Sequence, residues 1–158
     1  NEVTEAEPHF EVLTTWEAAK VLEREARDHL DTFNPWNRER MEFAQTLTED
    51  RYVEAKQGLA AARASLVTLF DKVDVLLTPP RIGEAPIGIE GVRPSPFNAV
   101  WTQMYTPCVT LPLFKGPNGM PVGIQIVGVE HADDTTLANA AWIDRSLRAA
   151  LGTVPARV

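Results

Sequence analysis

The side chains able to do chemistry in this sequence are few and scattered. Cys108 is the only cysteine, and it follows Pro107 at the start of an apolar run. A catalytic thiol needs a nearby base or cation to become thiolate, and no such residue neighbours Cys108, so a buried, inert thiol is expected. The histidines at 9, 29 and 131 lie far apart and lack the spacing of metal ligands, which points to surface roles and no metal site. Lys20, Lys56, Lys72 and Lys115 fall on predicted helices or in a turn, and Ser65, Ser95 and Ser146 have no glycine-rich surroundings. There is no Gly-x-Ser-x-Gly elbow and no phosphate-cradling glycine loop. Gln125 is a polar residue in an otherwise apolar strand, where an unpartnered amide would cost about 1–3 kcal/mol. The four tryptophans, at 16, 36, 101 and 142, read as core or half-buried anchors.

These residues must be positioned by one modest domain. The chain has 158 residues with 44% hydrophobic and 23% charged side chains, ordinary globular values. Its net charge of −7 disfavours nucleic acid and anionic membrane, because no surplus positive charge is available to displace counterions. No apolar run approaches a membrane span, and no signal-peptide pattern opens the chain. A single cysteine allows no internal disulfide, which fits a reducing cytoplasm. The first residue is Asn1 rather than Met, so a piece of a longer polypeptide is expected.

Periodicity divides the chain into a helical layer over 14–73 and a strand–loop–strand–helix part over 74–158. Residues 1–9 read as acidic and irregular. Thr14 and Glu17 resemble a capping box, followed by Trp16, Ala19, Leu22, Ala26, Leu30 and Phe33 at helical spacing, which predicts a helix over 14–31. Asn34-Pro35 stops it, and Asn37 is a candidate cap for a short helix carrying Met41 and Ala44. Thr48 precedes a long helix whose apolar face runs Tyr52, Ala55, Leu59, Ala62, Leu66, Leu69, Val73. Val75–Thr78, Val109–Phe114 and Val122–Val127 read as strands, the last two joined through Lys115-Gly116-Pro117-Asn118-Gly119. Residues 79–96 hold five prolines and three glycines and read as an ordered loop or lid. Phe97–Met104 predicts a short helix. Asp133 or Asp134 caps a final one with Leu137, Ala140, Ala141, Ile143 and Leu147 inward. The alternation of strands and helices indicates an α/β or α+β protein.

The order of several short motifs resembles the amidase-signature family. Asp74-Val75-Leu76-Leu77-Thr78-Pro79 is similar to its "D-x-L-L-x-P" strand. Ala85-Pro86, Phe97-Asn98-Ala99-Val100-Trp101-Thr102 and Pro107-Cys108-Val109-Thr110-Leu111-Pro112 follow in family order. Gly119-Met120-Pro121-Val122-Gly123-Ile124-Gln125-Ile126-Val127-Gly128 resembles "G-L-P-V-G-x-Q-L-V-G". Trp16-Glu17-Ala18-Ala19 and Phe33-Asn34-Pro35 match the family layout more loosely.

The resemblance implies the C-terminal portion of an amidase, with an α/β fold: part of an α/β/α architecture, a helical layer plus a small mixed sheet. It implies hydrolysis of carboxamides without cofactor or metal, by a Ser–cis-Ser–Lys triad whose second serine attacks the carbonyl while backbone N–H groups hold the oxyanion. The Gly/Ser-rich segment that carries the serines is absent, so no catalytic residue is assigned in this chain; the triad is expected upstream of Asn1. This part would supply scaffold and a pocket wall for a small-molecule amide, from loop 79–96 and from Phe97, Asn98, Trp101, Met104 and Tyr105. A free-standing, non-catalytic binding module derived from the same fold is the alternative, and a small independent enzyme using Cys108 or a histidine is a third. A part-sheet leaves open edges and an apolar face, so self-association as a symmetric dimer is expected.

Overall fold

The computed structural model describes residues 6–88 and 96–152. Backbone contacts divide the chain at Ser65/Leu66 into two compact units.

The first unit is helical. Helix α1 spans Glu7–Val21, seven residues earlier than the periodicity suggests, because Pro8 sits in the first turn where no N–H donor is required. Thr14 is therefore inside the helix rather than at its cap, and its Oγ1 donates to the Phe10 carbonyl one turn back at 2.9 Å. Val12, Leu13 and Thr15 form the buried face. Helix α2, Glu23–His29, follows a single non-helical residue, Leu22, and ends in a 3-10 turn at Leu30–Thr32. Helix α3, Pro35–Ala44, is capped by Asn34 and not by Asn37: Pro35 holds Asn34 in extended conformation, and the Asn34 side chain accepts from the Asn37 N–H at 2.8 Å. Helices α1 and α3 pack together, and Arg40 Nε donates to the fully buried Thr15 hydroxyl at 3.1 Å.

Helix α4, Glu49–Phe70, starts where predicted, with Thr48 Oγ1 accepting from the Arg51 N–H at 3.3 Å. Ala55, Leu59, Ala62 and Leu66 are its buried stripe, whereas Leu69 and Val73 are exposed. Tyr52 stacks on Trp16 at 5.7 Å and donates to Glu17 at 3.1 Å. Gly58 faces the His9 ring so closely that any Cβ there would run into it, which explains a glycine in mid-helix.

The second unit is a sheet with a helix on one face. Strands β1 (Leu76–Thr78), β2 (Cys108–Lys115) and β3 (Pro121–Val127) stand in the order β1-β3-β2. Both pairings are antiparallel, so the mixed sheet expected from the resemblance is antiparallel throughout among the described residues. The reason is connectivity: β2 and β3 form a tight hairpin, and β1 takes the opposite edge of β3. Gly119, at φ +81°, supplies the left-handed residue of the hairpin turn, and Gly116 closes it by bonding to Met120 at 3.0 Å. The β2 register slips between Leu111 and Phe114, at Pro112, which cannot donate to a ladder.

Helix α5 covers Pro96–Gln103, and α6 covers Asp133–Leu151. Ala140, Ile143 and Leu147 of α6 pack on Ile126, Val109, Leu111 and Val75. The inward stripe is thus Thr136, Ala140, Ile143, Leu147; Leu137 and Ala141, expected inside, are exposed. Position 132 caps the helix, and Asp133 and Asp134 occupy its first turn, where their charge suits the dipole. Gly152, at φ +66°, ends it.

Gly128 joins β3 to α6 with no room for a side chain, since a Cβ would strike the buried Thr136. Gly128→Ala is expected to destabilise the chain by about 1–3 kcal/mol, and Thr136→Ala in the same background to recover part of that loss. Urea unfolding of the two single variants and the double variant checks both. Asn34→Ala should cost about 1 kcal/mol through loss of the α3 cap.

Candidate functional site

Helix α5 and the turn after it carry all five residues expected to line a pocket. Phe97, Trp101 and Met104 are spaced by four and three and share one face: the first two are half-buried and Met104 is 2% exposed. Asn98 and Tyr105 lie off that face and are exposed. The expected wall is therefore two surfaces, an inward aromatic and thioether face and an outward polar one. Of loop 79–96, residues 89–95 lie outside the described residues, Ser95 among them.

Helix α5 closes with a paired reversal. The Thr106 N–H bonds to the Trp101 carbonyl and the Tyr105 N–H to the Thr102 carbonyl, both at 3.3 Å, with Tyr105 at φ +58°. This is the usual left-handed end of a helix, but glycine normally fills it; a side chain there costs about 1–2 kcal/mol. Trp101 adds a second cost. Its indole Nε1 is buried without a hydrogen-bond partner among the described residues.

The turn delivers the chain into β2, where Pro107 accepts from the Gly128 N–H at 2.9 Å. Alternation then places Cys108 and Thr110 on the sheet face opposite α6, with Gln125 and Thr78 beside them. Gln125 is 5% exposed, and its Oε1 accepts from the Thr78 hydroxyl at a long 3.4 Å. Cys108 is exposed as a residue, contrary to expectation, yet its thiol behaves as a desolvated one. Burial pushes the thiol pKa above its ordinary value, and hydrogen bonding from the Thr106 and Gln125 side chains draws it partly back. The thiol donates to the Thr106 carbonyl, with sulfur and oxygen 3.7 Å apart. A raised pKa disfavours the thiolate that a nucleophile needs.

The remaining reactive residues are spread out. Lys20 lies over the Trp16 ring at 4.9 Å and Lys56 over Tyr52 at 5.5 Å. Ser65 Oγ donates to its own helix at 2.9 Å. His131 stands beside Glu130 at 3.5 Å on the surface. Among the described residues, no group of three His, Cys, Asp or Glu could hold a metal ion, and no helix is long and apolar enough to cross a membrane. A half-open groove of about 420 Å³ in the first unit is lined by Trp16, Ala26, Leu30 and Met41 with the charged Lys20, Glu23 and Arg27.

Sequence reasoning missed one anchor. Glu84, in the loop after β1, accepts from the Asn118 N–H at 2.7 Å and packs on Gly116, tying that loop to the hairpin turn. Nothing in its sequence neighbourhood signals this contact, which joins segments 34 residues apart.

The Cys108 environment yields a pH prediction. Alkylation by iodoacetamide is expected to be slow at neutral pH and to rise with a midpoint above that of a free thiol. Gln125→Leu removes a group that favours thiolate, so it should shift that midpoint further up; mass spectrometry of the adduct against pH measures both.

No family model matches the chain. Among curated proteins, it is 28% identical over 146 residues to the 2-amino-5-chloromuconic acid deaminase of Comamonas testosteroni, covering 84% of this chain and 31% of that protein. It is 27% identical over 110 residues to one component of the human mitochondrial glutamyl-tRNA(Gln) amidotransferase, covering 63% and 21%. The solved structure of an amidase superposes with a TM-score of 0.78 at 29% identity, over 91% of this chain and 36% of that one. A 6-aminohexanoate cyclic dimer hydrolase shares the fold, with a TM-score of 0.63 at 19% identity. The chain thus spans about a third or less of the length of these proteins. In sequence and in fold, it is a relative of the amidase-signature proteins and carries part of their architecture.

Proposed function

We propose that the chain is the C-terminal part of an amide hydrolase that cleaves carbon–nitrogen bonds by a Ser–cis-Ser–Lys mechanism, with the reacting side chains in polypeptide upstream of Asn1. The observation that carries this reading is the superposition on an amidase over 91% of the chain at 29% identity. It is supported by the dispersal of serines and lysines among the described residues: Ser65 bonds to its own helix, and Lys20 and Lys56 each lie over a neighbouring ring. On this reading, the second unit contributes scaffold through β1, β2 and β3. Helix α5 contributes a wall: Phe97, Trp101 and Met104 shape the apolar side, and Asn98 and Tyr105 supply polar tips for a small-molecule amide. The single cysteine fits a reducing cytoplasm as the compartment. No cofactor is required by such a mechanism.

The isolated chain also self-associates on this reading. Strands β1 and β2 stand at the two edges of the sheet, and Leu77 and Phe114 on them are 54% and 42% exposed.

The test joins this chain to an upstream polypeptide bearing the Gly/Ser-rich segment and a strand lysine, and assays both forms against aliphatic, aromatic and aminoacyl amides. The joined protein is expected to hydrolyse at least one class, and residues 1–158 alone none. Trp101→Ala in the joined protein should raise KM about tenfold or more, with a smaller change in kcat, as loss of ground-state binding does. Turnover by residues 1–158 alone, abolished by alkylating Cys108, would overturn the proposal.

A further inference from the structure

Helix α6 presents a second stripe, directly opposite the one that packs on the sheet. The inward positions are Thr136, Ala140, Ile143 and Leu147; the outward ones are Asp134, Ala138, Ala141 and Arg145, with the same four-three-four spacing. All four outward residues are exposed. Leu137, 56% exposed, flanks the stripe on one side, and Trp142, 63% exposed, flanks it on the other. A tryptophan so open on a helix of otherwise settled packing is the feature that calls for a partner.

The chemistry along the stripe is acid, small, small, base. That order is self-complementary in an antiparallel pair. If two copies of α6 meet about a twofold axis level with the Asn139–Ala140 bond, Asp134 of each copy lies level with Arg145 of the second copy. Ala138 then faces Ala141 of the second copy. The small side chains let the helices approach closely, Leu137 lies against Ala141 of the second copy, and Trp142 lies over its Ala138. The flanking ion pair is already internal: Arg148 Nε donates to Asp144 at 2.8 Å. Asp134 and Arg145 have no ion-pair partner among the described residues. The whole chain carries −7, which opposes unspecific self-contact and favours a face whose charges match locally. Antiparallel alignment also opposes the two helix dipoles.

We infer that the outward stripe of α6 is the surface through which a second copy of this chain docks. The inference rests on the self-association proposed above and assigns it to the helix; the strand edges, which motivated that proposal, become the alternative contact.

Sedimentation velocity over a concentration series tests it, using the 158-residue chain, Asp134→Arg, Arg145→Asp, the double reversal and Trp142→Ser. Each single reversal sets two like-charge contacts across the axis and should raise the dimer dissociation constant about tenfold. The double reversal restores both attractive pairs and should return most of that loss. Trp142→Ser should weaken the dimer while leaving helical content, read by circular dichroism, unchanged. A chain that dimerises equally well in all variants overturns the α6 assignment and leaves the strand edges as the contact. A parent chain that stays monomeric overturns self-association itself.

Discussion

The register of β3 is the constraint on which the second unit depends. It is the middle strand, hydrogen-bonded on both sides, and its Ile126 and Val127 are completely buried. Alternation sends Ile126 toward α6 and Gln125 to the opposite face. A slip of one residue would press the Gln125 amide into the apolar layer under α6 and turn Ile126 out. Gly128 then fixes the exit from the strand, because only a residue without a side chain can pass so close to Thr136. From these few positions follow the seating of α6 and the level at which β1 and β2 join.

Much of this was legible in the sequence. The last two strands and their turn announce themselves by alternation and by Asn118-Gly119, and α4 by its cap and its stripe. The first helix was not, since Thr14 and Glu17 form a capping-box pattern that also occurs inside helices, where a threonine hydroxyl can bond to the carbonyl four residues back. Pro8 looks like a breaker but sits in the one turn that tolerates it. Leu137 was misplaced for a related reason. Apolar residues on α6 fall on two stripes, and spacing alone does not say which of them the sheet covers. The antiparallel pairing of β1 with β3 was also out of reach, because the Thr78–Gln125 contact joins residues 47 apart.

The candidate site was legible as residue types but not as surfaces. Five residues around α5 stood out for their size and polarity, yet their division into an inward face and an outward one follows from helix geometry and from what lies beneath. Cys108 illustrates the same limit. Its position beside a proline in an apolar run suggested burial, whereas the residue is exposed and only its thiol is desolvated enough to have its pKa raised. The left-handed Tyr105 had no sequence signal at all, because that position ordinarily announces itself with glycine.

Two local costs fall within five residues of one another, at the point where α5 turns into β2. Among the described residues, the buried indole N–H of Trp101 lacks a partner, at about 1–3 kcal/mol, and Tyr105 holds a left-handed backbone, at about 1–2 kcal/mol. A phenyl ring in place of the indole and a glycine at the helix end would avoid both. An unpaired donor and a left-handed backbone this close together are a local cost that the packing of the segment must offset. The same two backbone hydrogen bonds set the turn that carries Trp101 inward and Tyr105 outward. On the proposed reading, in which this segment is a pocket wall, a wall already ordered would lose less conformational freedom on binding than one that must be ordered.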